Sequence, residues 1–439
     1  RGDRDDVFSH GFICPKGSSL KQLHEDPDRL RRPLVRRGDA FEEVEWDEAW
    51  RVVADGFSRV LERHDRSALA VYLGNPSAHH LGALTYNRAL IRGLGTPNLF
   101  SASTVDQMPK QVACGFVFGS PVTVPVPDLD RTDYLLMLGA NPYESNGSLC
   151  TAPDFPGRLD AIRERGGRVV VVDPRRSRTA KGADEWIGIR PGTDAAFLAA
   201  IAHELFRSGA ADPGPHVGPL LDGLDDLRVA LQPFAPEVVA RWCGLDADTI
   251  RRIAAELVAA PTAAVYGRIG TSTTEFGTVA SWLVDVVNVL TGNLDRSGGA
   301  MFPKPVAGSA NTAGEPGRGR GFRTGRSRTR VRELPEVCGE FPVAAMAEEI
   351  LTAGPGRIRA LVTVAGNPVV STPNPDGRLE AALADLEFMV SVDIYLNETT
   401  RFADVILPPP SALYRSHYDL ALLGFAVRNV ANYSAPILP

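Results

Sequence analysis

Cysteine is scarce in this chain: there are five in 439 residues, Cys14, Cys114, Cys150, Cys243 and Cys338. They are scattered and odd in number, which excludes a disulfide-stapled scaffold. No apolar run reaches the length of about 18 residues that a membrane-spanning helix needs, so no direct membrane insertion is expected. Basic excess is missing too. Lys and Arg number 47 against 53 Asp and Glu, a formal net charge of −6, which argues against nucleic acid as a partner. No Gly-x-Gly-x-x-Gly follows an expected strand, which argues against an ordinary nicotinamide dehydrogenase. The first residues carry no charged-then-apolar leader, and Arg1 stands where an initiator Met would. Together with the abrupt Ile437-Leu438-Pro439 ending, this suggests an internal piece of a longer protein, truncated at both ends. The expected compartment is the cytoplasm, although a twin-arginine leader upstream would also fit.

Apolar residues make up 44% of the chain and charged residues 23%, with 42 Gly and 34 Pro. This is a loop-rich globular composition, and the length suits two to four domains of about 150 residues each. Residues 1 to 47 are polar and turn-rich. A helix is expected from Trp46 to about Arg63, with Asp47 as N-cap and Trp50, Val53, Phe57 and Leu61 on one face. Strands and helices then alternate. Strands are expected at 68–73, 133–138, 168–172, 263–266, 359–364 and 388–392. Helices are expected near 79–92, 156–165, 194–206, 247–259 and 279–290. Continuous apolar strands between helices mean parallel sheets covered on both faces. Residues 300 to 335 interrupt the pattern with Gly, Pro and Ser, and seven Arg fall between Arg318 and Arg332.

One feature repeats at a distance. Strand 133–138 ends in Gly139-Ala140-Asn141-Pro142, and strand 359–364 ends in Ala365-Gly366-Asn367-Pro368. The next strand of each copy ends in Asp, at Asp173 and Asp393. After each Asp the spacing D-x5-T-x3-A-D is the same: Asp173, Thr179, Ala183, Asp184 and Asp393, Thr399, Ala403, Asp404. Each copy would place a Gly-Asn-Pro turn and an acid at the C-terminal ends of neighbouring parallel strands, where open α/β sheets bind ligands. Gly139 and Gly366 would let backbone N–H groups approach a phosphate, and the Asp could accept from a ribose or a base. Two such units suggest either two nucleotides or a two-fold-related cofactor pair.

The ordered series of blocks resembles the molybdopterin oxidoreductases of the dimethyl sulfoxide reductase type, such as formate dehydrogenases and nitrate reductases. It comprises Ile13-Cys14-Pro15-Lys16-Gly17, Asp26-Pro27-Asp28-Arg29-Leu30, Trp46-Asp47-Glu48-Ala49 and the first Gly-Ala-Asn-Pro turn. Asp173-Pro174-Arg175, Pro191-Gly192-Thr193-Asp194, Leu290-Thr291-Gly292-Asn293, Gly366-Asn367-Pro368 and Glu398-Thr399 through Ala403-Asp404-Val405-Ile406-Leu407-Pro408 follow in order. The resemblance implies an α/β fold of two Rossmann-like, doubly wound domains, with a remnant of an N-terminal iron–sulfur domain at 1–47. The first Rossmann-like domain would be discontinuous, 48–130 with 335–439, and the second would be 131–334. It also implies a bis-molybdopterin guanine dinucleotide cofactor carrying Mo or W. Gly139, Asn141, Asp173, Arg175 and Asp194 would hold one dinucleotide. Gly366, Asn367, Asp393 and Thr399 would hold the other.

Cys14 resembles the last of four ligands to a [4Fe–4S] cluster, the other three lying before Arg1, and Lys16 the lysine between cluster and pterin. The residue donated to the metal would lie in Ser101–Lys110. Asp106 is the first candidate, an anionic oxygen for a hard metal, with Ser103 and Thr104 as alternatives and an N-cap as its plainer role. Cys114 reads as packing. His79 and His80 would line a substrate funnel or simply start a helix. The Arg-rich segment would steer an anion, dock a partner or be solvated. The family's acidic pattern is absent at Ala412 to Asp419, where the chain has Tyr414-Arg415-Ser416-His417-Tyr418. The implied activity is a two-electron oxidation or reduction of a small, formate- or nitrate-like substrate, with electrons passed to a partner protein or subunit. A non-redox hydratase on the same cofactor, and an electron-relay subunit like that of respiratory complex I, remain as alternatives.

Overall fold

The computed structural model describes residues 1–306 and 321–439. Arg318 and Arg320 of the Arg-rich segment lie outside the described residues. Along the chain, the strands of the two larger sheets are β1 (Leu34–Arg37), β2 (Ala40–Glu43), β3 (Leu69–Leu73), β4 (Asn98–Ser101), β5 (Tyr134–Leu138), β6 (Arg168–Val172), β7 (Glu185–Ile187), β8 (Ala263–Gly267), β9 (Ala360–Val364), β10 (Phe388–Val392) and β11 (Val405–Ile406). The helices used below are α1 (Trp46–Arg63), α2 (Leu81–Leu94), α3 (Met108–Phe118), α4 (Phe155–Glu164), α5 (Asp194–Ser208), α6 (Pro236–Cys243), α7 (Ala247–Ala259), α8 (Gly277–Leu290) and α9 (Arg378–Ala384). The chain divides into two units. One comprises Arg1–Cys14, Asp106–Phe322 and Leu422–Ala431; the other comprises Pro15–Val105, Arg323–Ala421 and Asn432–Pro439.

The first unit is built on a parallel sheet in the order β7-β6-β5-β8. Its strands are short runs of Val, Leu and Ala buried on both faces, the signature of a covered parallel sheet. On one face Leu136, Leu138, Val170 and Val172 join α5, α6, α7 and α8 in a single core. On β6, α4 packs and buries Phe155, Leu159 and Ile162. Helix α8 is buried along most of its length, so it reads as apolar or small all round apart from Thr278, Ser281, Asp285 and Asn288.

The second unit carries the order β2-β1-β11-β10-β9-β3-β4, parallel from β11 to β4 and antiparallel at β1 and β2. Successive residues of its strands feed two separate cores. Tyr72, Leu361, Met389 and Ile406 lie with Met346, Ile350 and α9 on one face. Leu69, Ala360, Phe388 and Val390 lie with α1 on the other.

The α/β class, the parallel sheets and the internal repeat agree with the sequence reading, and most strand ends match within a residue. Two local expectations are corrected. The N-cap position of α1 is Glu45 rather than Asp47, and no side chain caps that end. Trp50 is 53% exposed and leaves the core to Ala49, Gly56 and Val60, with Phe57 edge-on to Phe388 at 5.3 Å. The buried face is set by Gly56, where a Cβ would lie 2.2 Å from the Phe388 ring. Trp50 is turned about 100° from Ala49 per residue of helix and sits beside Trp46 instead, their rings 6.1 Å apart.

Candidate functional site

Register brings the repeated turns to the same end of each sheet. In the first unit Leu138 lies level with Val172 and Gly267, so Gly139, Asp173 and Arg268 leave the sheet side by side. In the second, Val364 lies level with Val392 and Leu73, so Ala365, Asp393 and Gly74 do the same. The hydrogen bonds match. Gly139 N–H donates to the Val172 carbonyl at 3.1 Å, and Ala365 N–H to that of Val392 at 2.8 Å. Arg268 N–H donates to the Leu138 carbonyl at 3.1 Å, and Gly74 N–H to that of Val364 at 2.8 Å. Gly139 and Ala365 both take a left-handed backbone, with φ of 56° and 52°.

The side chains of the repeat also bond alike. The Thr179 hydroxyl donates to Asn141 Oδ1 at 2.7 Å and accepts the Tyr143 N–H at 3.1 Å. The Thr399 hydroxyl donates to Asn367 Oδ1 at 2.7 Å and accepts the Val369 N–H at 3.2 Å. Asp184 Oδ2 accepts the Val169 N–H at 2.7 Å, and Asp404 Oδ2 the Met389 N–H at 2.7 Å. Each Thr is buried and ties the turn after one strand to the helical turn after the next. Each later Asp caps the start of the neighbouring strand. The second unit adds a bond from Asn367 Nδ2 to Glu398 at 2.7 Å, whereas Asn141 Nδ2 has no protein acceptor among the described residues.

The glycines are used differently from the sequence expectation of room for a phosphate. A Cβ on Gly139 would lie 2.7 Å from the Gly270 backbone, and one on Gly366 would lie 2.5 Å from the Tyr72 ring. A Cβ on Gly74 would lie 1.8 Å from the Ala365 carbonyl oxygen. For Gly139 and Gly74 the Cβ space is taken by the loop after the neighbouring strand, and for Gly366 by the Tyr72 ring on β3, so absence of a side chain here serves close packing.

Three acids line these strand ends. Asp194, at the first turn of α5, is 4% exposed. Burial pushes its carboxyl up to about 6, and the charge of Asp173 adds to the rise. Burial also raises Asp173, against the pull of the Arg175 N–H, which donates to its Oδ1 at 2.8 Å. Burial raises Asp393, whose Oδ1 accepts the N–H groups of Ile394 and Tyr395 at 2.7 and 3.3 Å. Arg175 itself is exposed beside Asp173.

Asp106 lies just before α3. Its Oδ1 is buried, has no hydrogen-bond partner and is 3.9 Å from an Arg268 guanidinium nitrogen. Burial raises the carboxyl, with Arg268 acting against the rise. Arg268 is itself buried and also donates to the Ser148 hydroxyl at 2.7 Å. It occupies the place that Gly74 holds in the second unit. One turn into α3, Lys110 donates to both oxygens of Asp285 at 2.7 Å, with both side chains deep in the unit. Burial works against the Lys110 charge, but Asp285 outweighs it and raises the ammonium. Cys114 is buried, its thiol pushed up to about 12, and packs.

Sequence reasoning missed Arg268 and Asp285 as site neighbours. The available signal was each lone charge in an otherwise apolar or small-residue run, 263–270 and 279–290. Cys14 is a free thiol, partly exposed, and Lys16 is exposed on the short helix Pro15–Ser18. Among the described residues no group of three or more His, Cys, Asp or Glu is placed to hold a metal ion. Ser103 and Thr104 sit in a 3-10 turn, where the Thr104 hydroxyl donates to the Ser101 carbonyl at 3.0 Å and accepts the Val343 N–H at 3.1 Å. His80 caps α2, its Nδ1 accepting the Ala83 N–H at 3.0 Å, and His79 lies 3.9 Å from Asp419. In the Arg-rich segment, Arg326, Arg330 and Arg332 pair with Glu336, Glu349 and Glu348. No helix among the described residues is long and apolar enough to cross a membrane.

The sequence profile described as "Molybdopterin oxidoreductase" matches residues 29–414. A nitrate reductase of Symbiobacterium thermophilum is 30% identical over 452 aligned positions, covering 94% of this chain and 57% of that protein. The F420-dependent formate dehydrogenase subunit alpha of Methanocaldococcus jannaschii is 24% identical, covering 91% of this chain and 58% of its own length. The acetylene hydratase of Pelobacter acetylenicus has a similar solved structure, with a TM-score of 0.78 at 18% identity, over 97% of this chain and 61% of that one. At that identity the likeness is one of fold. The chain thus spans under two thirds of the length of each of these proteins.

Proposed function

The chain belongs to the molybdopterin oxidoreductase family, and from that premise we propose that it forms the cofactor-holding part of a Mo- or W-dependent enzyme. The proposed reaction is a two-electron oxidation or reduction of a small substrate, formate- or nitrate-like. When bound, a bis-molybdopterin guanine dinucleotide would supply the two-electron metal chemistry. The observation that carries the reading is the pair of matched strand-end turns, each with an Asn–Thr clasp and a half-buried acid, Asp173 and Asp393. Among the described residues Asp194 meets no protein donor except its own N–H, so it suits the N–H or O–H groups of a base or ribose. In the first unit, Gly139, Asn141, Asp173, Arg175 and Asp194 would hold one dinucleotide. In the second, Gly366, Asn367, Asp393 and Thr399 would hold the other.

Asp106 is the proposed metal ligand. Its orphaned Oδ1 is an anionic oxygen in a buried setting, which suits a hard, high-valent metal. Arg268 would hold that carboxylate in its ionised form and fix its direction. Cys14 would complete a [4Fe–4S] cluster with ligands beyond this chain, and Lys16 would lie on the electron route to a partner subunit or protein.

The test is elemental analysis of the full-length protein purified without air. The reading expects about one Mo or W and about four Fe per chain. Iron without Mo or W would favour the electron-relay subunit and overturn the catalytic reading. Metal content as expected, with hydration of a substrate and no electron transfer to an acceptor dye, would favour the hydratase. Absence of all three metals would leave only the fold in common with the family.

A further inference from the structure

Two sequence blocks without a role in that site meet in the second unit. They are Asp26–Leu30 and the stretch after Pro408, where the family's acidic pattern is absent. Tyr395 donates its hydroxyl to Asp26 Oδ2 at 2.7 Å, and Leu30 N–H donates to the Ile394 carbonyl at 2.8 Å. Arg29 Nη2 donates to the Pro409 carbonyl at 3.1 Å across 380 positions of sequence. On the same loop, Arg31 donates to the His24 carbonyl at 3.1 Å, and the His24 ring lies 5.7 Å from that of Tyr414. Arg415 follows directly.

The charges in this cluster do not balance. Arg29 is 8% exposed, and its one bond to Pro409 uses a single donor of the five a guanidinium carries. Arg415 is half-buried and has neither an ion pair nor a hydrogen bond among the described residues. Burial and the neighbouring Arg29 charge both act against the Arg415 cation. His24 Nδ1 is buried without a partner. Asp26 is already engaged by Tyr395 and the Asp28 N–H. The Arg29–Pro409 bond and the His24–Tyr414 contact bring the two loops that carry these guanidinium groups together, and neither group has an ion pair among the described residues. Unpaired cations in such a setting are costly, and each offers a planar fork suited to a bidentate oxyanion.

We propose that Arg29 and Arg415 form a binding site for a small oxyanion, which is either an anionic substrate or a phosphate group of a nucleotide-like cofactor. The site stands on the second unit alone. A chain shown to hold neither Mo nor W would still bind the anion, so its failure and that of the proposed function can be told apart.

The test is calorimetric titration of the full chain with sodium nitrate, sodium formate and inorganic phosphate at constant ionic strength, with sodium chloride as reference. Saturable binding of at least one of the three is expected. Arg415→Gln should weaken it by about tenfold or more, and Arg415→Lys, which keeps the charge but loses the fork, by less. Circular dichroism checks that both variants fold; Arg415 is the residue of choice because it is less buried than Arg29. Preference for nitrate or formate identifies a substrate site, and preference for phosphate a cofactor site. No saturable binding of any of the three, or binding unchanged by Arg415→Gln, would overturn the proposal.

Discussion

The two units share four strands in the same order and register but thread them differently. In the first, β5, β6 and β7 come before β8; in the second, the strand that matches β8 is β3, which precedes β9, β10 and β11. The order β7-β6-β5-β8 and the order β11-β10-β9-β3 place equivalent residues at equivalent strand ends. Strand neighbours, rather than chain order, therefore decide where the Asn–Thr clasp and the acids meet. The difference lies in what each unit adds. At the position after the fourth strand the first unit has Arg268, which reaches Asp106 and Ser148, whereas the second has Gly74, whose main chain presses against Ala365. One copy of the scaffold is charged at that point and the other is closed by backbone contact.

Substitutions can break or sharpen this comparison, beginning with the largest expected effect. Gly74→Ala would put a Cβ 1.8 Å from the Ala365 carbonyl oxygen, so a backbone must move. A loss of about 4 kcal/mol or more is expected from urea denaturation. In the first unit the loop after the fourth strand meets the repeated turn at Gly270, where a Cβ would lie 2.6 Å from Gly139; Gly270→Ala should cost about half as much. Equal costs would show that the two loop contacts are not graded by distance.

Next comes the buried ion pair that ties α3 to α8 in the first unit. Asp285→Ala leaves the Lys110 ammonium buried and unpaired, at an expected cost of about 3–5 kcal/mol. Replacing both, as Lys110→Met with Asp285→Leu, should restore most of that loss. A double variant no better than the single one would mean that the pair is needed for more than charge balance.

Asp194 gives a pH-dependent effect in the first unit. Burial pushes its folded carboxyl up to about 6, above the ordinary aspartate range near 3.8, so between these values the folded state holds the extra proton. Stability therefore falls as pH rises through that window. Asp194→Asn should be more stable than the parent at pH 7, by about 3 kcal/mol at most, and no more stable near pH 3. Urea midpoints at the two pH values check this, and a constant difference between them would contradict the assigned burial effect.

The smallest effect tests the equivalence itself. Thr179→Val and Thr399→Val each remove a hydroxyl that donates to an Asn and accepts a buried N–H. Each should cost about 1–3 kcal/mol, and the two losses should agree closely. A marked difference would show that the clasp is retained for stability in one unit and for something else in the other.

Much of this was legible in the chain itself. Strands such as 168–172 and 388–392 are runs of Val and other apolar residues whose ends are marked by Gly, Asn, Pro or Asp. The repeat D-x5-T-x3-A-D marked the Thr and Asp positions that match in the two units, but not the bonds they make: each Thr holds an Asn side chain and each later Asp a strand N–H, all within 40 residues of sequence. The face of α1 was harder to read, because a small residue, Gly56, decides which side can approach Phe388, and a large Trp50 is left outside.

Local spacing by itself determined the elements, the duplicated turns and the acids at their strand ends, since those depend on hydrogen bonds between near neighbours and on the alternation of buried residues. Tertiary structure decided the rest. Lys110 and Asp285 are 175 positions apart, and Arg29 and Pro409 are 380 apart. Neither these pairs nor Asp106 with Arg268 leave a periodic trace, because a charge finds its partner through the packing of whole sheets and helices.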